Sequence, residues 1–175
     1  MLSITGVVYT QDLGHTHPVN EYRFTGGTLV CITDSASKDS PLACLHIGPI
    51  RIGARYEGLE SRYGNPVQSI PNSNGRIIQV FHLISKSGET TYLAITVRED
   101  SIDAIQIAGA VPDQALSFSS VTIGDSPRRL IQVLGVPSKA SLVEENGATL
   151  WSYTPFPFSF EILQEKVSSI KLWKP

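Results

Sequence analysis

The sequence predicts an α+β fold made of two tandem repeats of a short helix followed by a three-stranded antiparallel meander, with an additional N-terminal β segment. Three observations carry this expectation. The stretch 52–66 recurs at 123–137 with a constant offset of 71, and glycine and proline punctuate both copies where a short helix would stop. Each copy is followed by segments in which apolar residues alternate with polar ones, the period of a sheet covered on one face.

Residues 1–46 fall outside the repeat and read as a β extension. Strand character is present over 3–10, 21–25 and 28–33, with Gly26-Gly27 as a turn between the last two. These strands either extend the first sheet or form a separate small element. Cys31 and Cys44 are the only cysteines. A disulfide between them would close a short loop, worth on the order of 3 kcal/mol if unstrained, and would place the chain in an oxidising compartment. Two buried free thiols are the alternative.

The first unit spans 47–109. Its Ile52-Gly53, Leu59, Tyr63, Gly64 and Pro66 coincide with Ile123-Gly124, Leu130, Leu134, Gly135 and Pro137 of the second unit, 121–175. In the second copy Asp125 or Ser126 supplies the N-cap, and Pro127 suits the first turn, where its missing N–H costs nothing. Leu130, Val133 and Leu134 then form one apolar face, answered by Leu59 and Tyr63 in the first copy. A polar loop follows each helix. Strands are expected over 76–84, 91–98 and 102–108, and again over 148–154, 158–163 and 167–173. Leu93, Ile95 and Val97 answer Phe158, Phe160 and Ile162, while Ile105 and Ile107 answer Ile170 and Leu172. Residues 110–120 read as a linker or crossing segment whose Val111, Leu116 and Phe118 call for burial.

Composition narrows the function. Charged residues make up 17% of the 175 positions and the formal net charge is -2, so no single-sign field marks a general nucleic-acid binder. No apolar run reaches the roughly eighteen residues that span a bilayer. The start Met1-Leu2-Ser3-Ile4 has neither the basic opening nor the apolar stretch of a signal peptide. A cytoplasmic protein, or one whose signal has been removed, is expected, with the periplasm or exterior favoured.

The residues Val121-Thr122-Ile123-Gly124, Leu134-Gly135-Val136-Pro137, Trp151-Ser152-Tyr153 and Val167-Ser168-Ser169-Ile170-Lys171-Leu172 carry a resemblance. The pattern resembles the α/β repeats of the β-lactamase inhibitor protein family and of the small outer-membrane assembly lipoproteins called SmpA/OmlA or BamE. The resemblance covers about residues 47–173. It implies a non-enzymatic, extracytoplasmic scaffold that binds a protein on paired sheets. Unlike that family, this chain has a long N-terminal extension and no cysteine pair within each unit, so no inhibitor residue transfers position by position.

No catalytic, metal or cofactor motif stands out. Gly124-Asp125-Ser126 follows an apolar strand as a hydrolase nucleophile would, but an activated serine needs a nearby base, and the last histidine is His82. The tripeptide is explained as a helix cap. His15-Thr16-His17, with Asp12 or His46 as a third ligand, is the only start of a metal site, and a solvated loop explains it as well. Arg128-Arg129 belong to the exposed side of a helix. The aromatics are uneven: six of fourteen (Trp151, Tyr153, Phe156, Phe158, Phe160 and Trp173) fall in the last twenty-five positions. Trp173 and Lys171 share the parity opposite to Ile170 and Leu172, as Tyr92 and Thr96 do opposite to Leu93 and Ile95. Trp151 and Tyr153 share one face of their strand, and the alternation does not say which.

These six residues, Tyr92, Thr96, Trp151, Tyr153, Lys171 and Trp173, form the candidate partner-binding surface; an aromatic lid on the second core is the competing reading. The leading function is a non-enzymatic protein-binding module of inhibitor or immunity type, without cofactor, acting on another protein. The alternatives are a hydrolase or metal-assisted hydrolase using His15 and His17, and a cell-envelope assembly scaffold.

Overall fold

The computed structural model describes residues 22–25, 28–31, 42, 44–85 and 87–175. The chain forms β1 (Tyr22–Thr25), β2 (Thr28–Cys31), β3 (His46–Ile47), β4 (Ile50–Arg51) and helix α1 (Leu59–Tyr63). Four longer elements follow: β5 (Gln68–Asn72), β6 (Arg76–Ile84), β7 (Thr90–Arg98) and β8 (Ser101–Gly109). The same order then returns as β9 (Ser117–Phe118), β10 (Val121–Thr122), α2 (Pro127–Leu134), β11 (Lys139–Leu142), β12 (Thr149–Ser152), β13 (Phe158–Leu163) and β14 (Lys166–Trp173). Two short helices on a largely antiparallel sheet make an α+β fold. The expected strand over 3–10 lies outside the described residues.

The sheet differs from expectation in two ways. Each helix is followed by four strands rather than three, and all eight join in one antiparallel sheet of order β11-β12-β13-β14-β8-β7-β6-β5. The missed strands are its two edges. Every residue of β5 is exposed, so no apolar alternation marks it. Pro71 sits in β5 and Lys139 in β11, both residues that suit an edge because they discourage further pairing. The joint between the halves is the β14–β8 ladder, running from Ser169 opposite Ala108 to Trp173 opposite Ala104. Among the described residues β1 and β2 pair with each other and with no strand of the large sheet.

Local geometry recurs along the chain. The helix C-caps Gly64 and Gly135 are 71 residues apart and share nearly one conformation, φ 79 and ψ -176 against φ 81 and ψ -173. The positive φ needed there is cheap only for glycine. Bulges fall at Thr96/Val97 and Glu161/Ile162, 65 apart. The tight turns after them, Glu99-Asp100 and Gln164-Glu165, all have positive φ and are again 65 apart, which matches the twist of the flanking strands.

Both helices cover the same face. Ser126 is the N-cap: its hydroxyl accepts from the Arg129 amide at 3.2 Å, while Asp125 instead accepts from the Thr122 amide at 2.9 Å. Leu130 and Val133, with Leu59 and Tyr63 from α1, pack in one core with Phe81, Leu93, Ile105, Phe160, Ile170 and Leu172. Of the segment 110–120, Leu116 and Phe118 are buried as expected, whereas Val111 is exposed. Phe118 lies 4.9 Å from Phe158 between ring centroids, and Tyr153 5.2 Å from Phe158.

Tyr153 is 4% exposed, and its hydroxyl donates to the Gly135 carbonyl at 3.2 Å, fixing the end of α2 to the sheet. Removing that bond with Tyr153→Phe is expected to cost about 1 kcal/mol in urea unfolding. Burial also pushes the Tyr153 phenol well above its ordinary value. An unfolded tyrosine ionises near about pH 10, so above that pH the unfolded chain binds fewer protons and stability falls as pH rises. The alkaline decline in unfolding free energy should therefore be shallower in Tyr153→Phe than in the parent chain.

Candidate functional site

With the helices on one face, strand parity fixes what the other face carries. Ile105 and Ile107 of β8 point into the core, so Ala104 and Gln106 point out; Ile170 and Leu172 of β14 do the same for Ser169, Lys171 and Trp173. These residues belong to an open cleft of about 760 Å³. Asn72 on β5 and Leu150 on β12 both line it, although six strand spacings separate them in the sheet. On a flat sheet that is about 29 Å. The sheet therefore curls around the cleft. Its floor is small and polar: Gln106 Nε2 donates to Ser169 Oγ at 3.1 Å.

One end of the cleft holds an ionic cluster. At the Thr96/Val97 bulge, Thr96 pairs with Ala104 and Val97 with Ile102, which leaves Asp103 without a ladder partner. A bulge redirects its extra residue, and here the aspartate turns to the open face. Asp103 is 5% exposed, and its Oδ2 meets Arg76 Nε at 3.0 Å and Arg98 Nε at 3.1 Å. Its Oδ1 is buried with no hydrogen-bond partner among the described residues. The second bulge needs no such charge. There Ser168 is the unpaired residue, and its hydroxyl donates to the Glu161 carbonyl at 3.1 Å.

The six residues singled out from sequence divide between the two faces. Thr96, Lys171 and Trp173 line the cleft. Tyr92 lies on the same face of β7, 48% exposed, with its ring 5.8 Å from that of His82, opposite it on β6. Trp151 and Tyr153 are on the covered face. Trp151 stands opposite the buried Phe160 and packs against the core, as does Tyr153, so neither reaches the open face. Sequence reasoning missed Arg76, Arg98 and Asp103. Their one signal is the spacing Ile102, Ile105, Ile107, which breaks the period of two by a residue and so marks a bulge at Asp103.

The other candidates are placed as follows. His15, His17 and Asp12 lie outside the described residues, and His46 Nδ1 is 2.8 Å from the Gly48 carbonyl. Among the described residues no group of three or more His, Cys, Asp or Glu side chains converges to hold a metal ion, and no helix is long and apolar enough to cross a membrane. Cys44 is buried and disulfide-bonded; the side chain of Cys31 lies outside the described residues.

No protein-family model matches the chain, and no curated protein matches it in sequence. Among solved structures, the chain is similar to a cysteine-rich secretory protein from Staphylococcus aureus, with a TM-score of 0.47 and 14% identity over 70% of this chain and 44% of that one. It is similar also to a DUF4309 family protein from Bacillus subtilis, with a TM-score of 0.44 and 13% identity over 75% and 82% of the two chains. A candidate β-lactamase inhibitor protein from Streptococcus mutans gives a TM-score of 0.30 and 13% identity over 72% and 88%. The chain spans less than half the length of the Staphylococcus protein.

Two outcomes are expected from this geometry. Asp103→Ala leaves two neighbouring guanidiniums without their counter-ion and should lower the unfolding free energy by about 1–3 kcal/mol, whereas Ser168→Ala should cost about 1 kcal/mol or less; urea titration measures both, and equal effects would show that the ion pairs add nothing. A non-reducing proteolytic digest should yield one cross-linked peptide containing Cys31 and Cys44 that separates on reduction.

Proposed function

We propose that this chain is a non-enzymatic protein-binding module of inhibitor or immunity type, which docks a partner protein on the open face of its curled sheet. The observation that carries the proposal is the inequality of the two faces. One is closed by both helices and their buried side chains; the other is a cleft that no described helix covers, lined by strands from β5 to β14. Residues held on sheet strands lose little freedom on binding, which favours a rigid docking surface. Thr96, Lys171 and Trp173 are the assigned contact residues, with Tyr92 at the margin, and the half-buried Trp173 is the aromatic anchor. A Cys31–Cys44 disulfide accords with a periplasmic or secreted location.

We further infer that the two halves are tandem copies of one unit, now merged in a single sheet. The recurrence of caps, bulges and turns at fixed offsets supports this reading.

The test is site-specific photo-crosslinking in the native host. A cross-linking residue at Thr96 or Lys171 is expected to capture one protein, while the same residue at Val136, which is 67% exposed beyond α2, captures none. Adducts from Val136 alone would overturn the assignment. With the partner in hand, Trp173→Ala should weaken binding by roughly 2 kcal/mol and leave the thermal midpoint nearly unchanged.

A further inference from the structure

We infer that the arginine end of the cleft recognises carboxylates, and that the occupant is an acidic, extended segment of the partner protein. The inference rests on the binding-module reading and specifies its ligand. Four cationic side chains, Arg76, Arg98, Lys171 and Lys174, line the cleft against two acidic side chains, Asp103 and Glu161, with Pro175 also in its lining, in a chain whose formal net charge is -2. Positive charge is therefore gathered here against the average of the molecule.

The arginines are also arranged rather than merely present. A guanidinium has five N–H donors, and the ion pair with Asp103 meets only Nε of each. The remaining donors of both have no acceptor side chain among the described residues. Asp103 pins the two side chains together on one carboxylate oxygen, yet one carboxylate cannot neutralise two guanidiniums. What remains is a pre-positioned pair with a net positive charge and unspent donors, the geometry that accepts carboxylates in bidentate fashion. Ser168 at the equivalent bulge shows that the fold does not require an aspartate at Asp103. The polar floor at Gln106 and Ser169 supplies partners for a peptide backbone, and Trp173 supplies an apolar wall.

The proposal is tested by fluorescence anisotropy with a labelled hexaglutamate peptide and the full chain. The peptide should bind, and more weakly as ionic strength rises. Arg76→Gln/Arg98→Gln should reduce affinity about tenfold or more, and Lys171→Gln/Lys174→Gln, which alters exposed side chains only, by about threefold. Arg128→Gln/Arg129→Gln on the outer side of α2 should change it less than about twofold. Absence of binding, or equal losses in all three variants, would overturn the proposal. So would tighter binding of an oligothymidylate at the same residues, which would make the ligand a nucleic acid. The Thr96 cross-linker separates this inference from the one beneath it. A partner adduct that forms equally well in Arg76→Gln/Arg98→Gln, with no peptide binding, leaves the docking face standing and removes its acidic ligand. Peptide binding without any adduct from the open face leaves the carboxylate site standing and removes the protein-docking role.

Discussion

The pairing of β14 with β8 is the constraint on which the rest of the architecture depends. It is the only ladder between the two halves within the large sheet, and five residue pairs from Ser169–Ala108 to Trp173–Ala104 hold it. Because these two strands are the last of their respective halves, joining them puts both helices on one side and makes one core of the two apolar faces. The same joint creates the cleft, since neither half alone has strands enough to curl around a space of that size. Trp173 and Ala104, at the end of the ladder, bring the aromatic wall of one half beside the ionic cluster of the other.

What could be read from the residues follows from how strongly each element's environment imprints on its sequence. The cap at Ser126-Pro127, the stop at Gly135 and the alternation in β7, β8, β13 and β14 were legible because one face of each is buried. β5 and β11 were not, because a strand wet on both faces has no reason to alternate. The face of Trp151 and Tyr153 was undecided for a related cause: Leu150 and Trp151 are both apolar and both only partly buried, so the period of two is lost. The long-range β14–β8 register leaves no local mark either. Thr96, Lys171 and Trp173 were found by parity alone, whereas the arginines were not, because Arg76 and Arg98 stand at strand ends where charge is the ordinary finding.

The ionic cluster has a cost that the fold does not explain. Burying a carboxylate is unfavourable unless it is fully paired, and Asp103 has one oxygen shared by two arginines and the other without a hydrogen-bond partner among the described residues. A serine satisfies the corresponding bulge with one ordinary hydrogen bond to a carbonyl. A bulge of this kind therefore needs no charge, and Asp103 adds one to the open face.

That freedom has an evolutionary side. Most positions in an antiparallel ladder are tied to a cross-strand neighbour and to a core or solvent face, so a change of charge there disturbs several contacts at once. A bulge residue has no opposite number. Its identity can drift from hydroxyl to carboxylate while the strands on either side keep their pairing, and a lineage can thus retune the electrostatic character of the cleft by single substitutions. In this molecule Asp103 is such a position, and it lines the cleft.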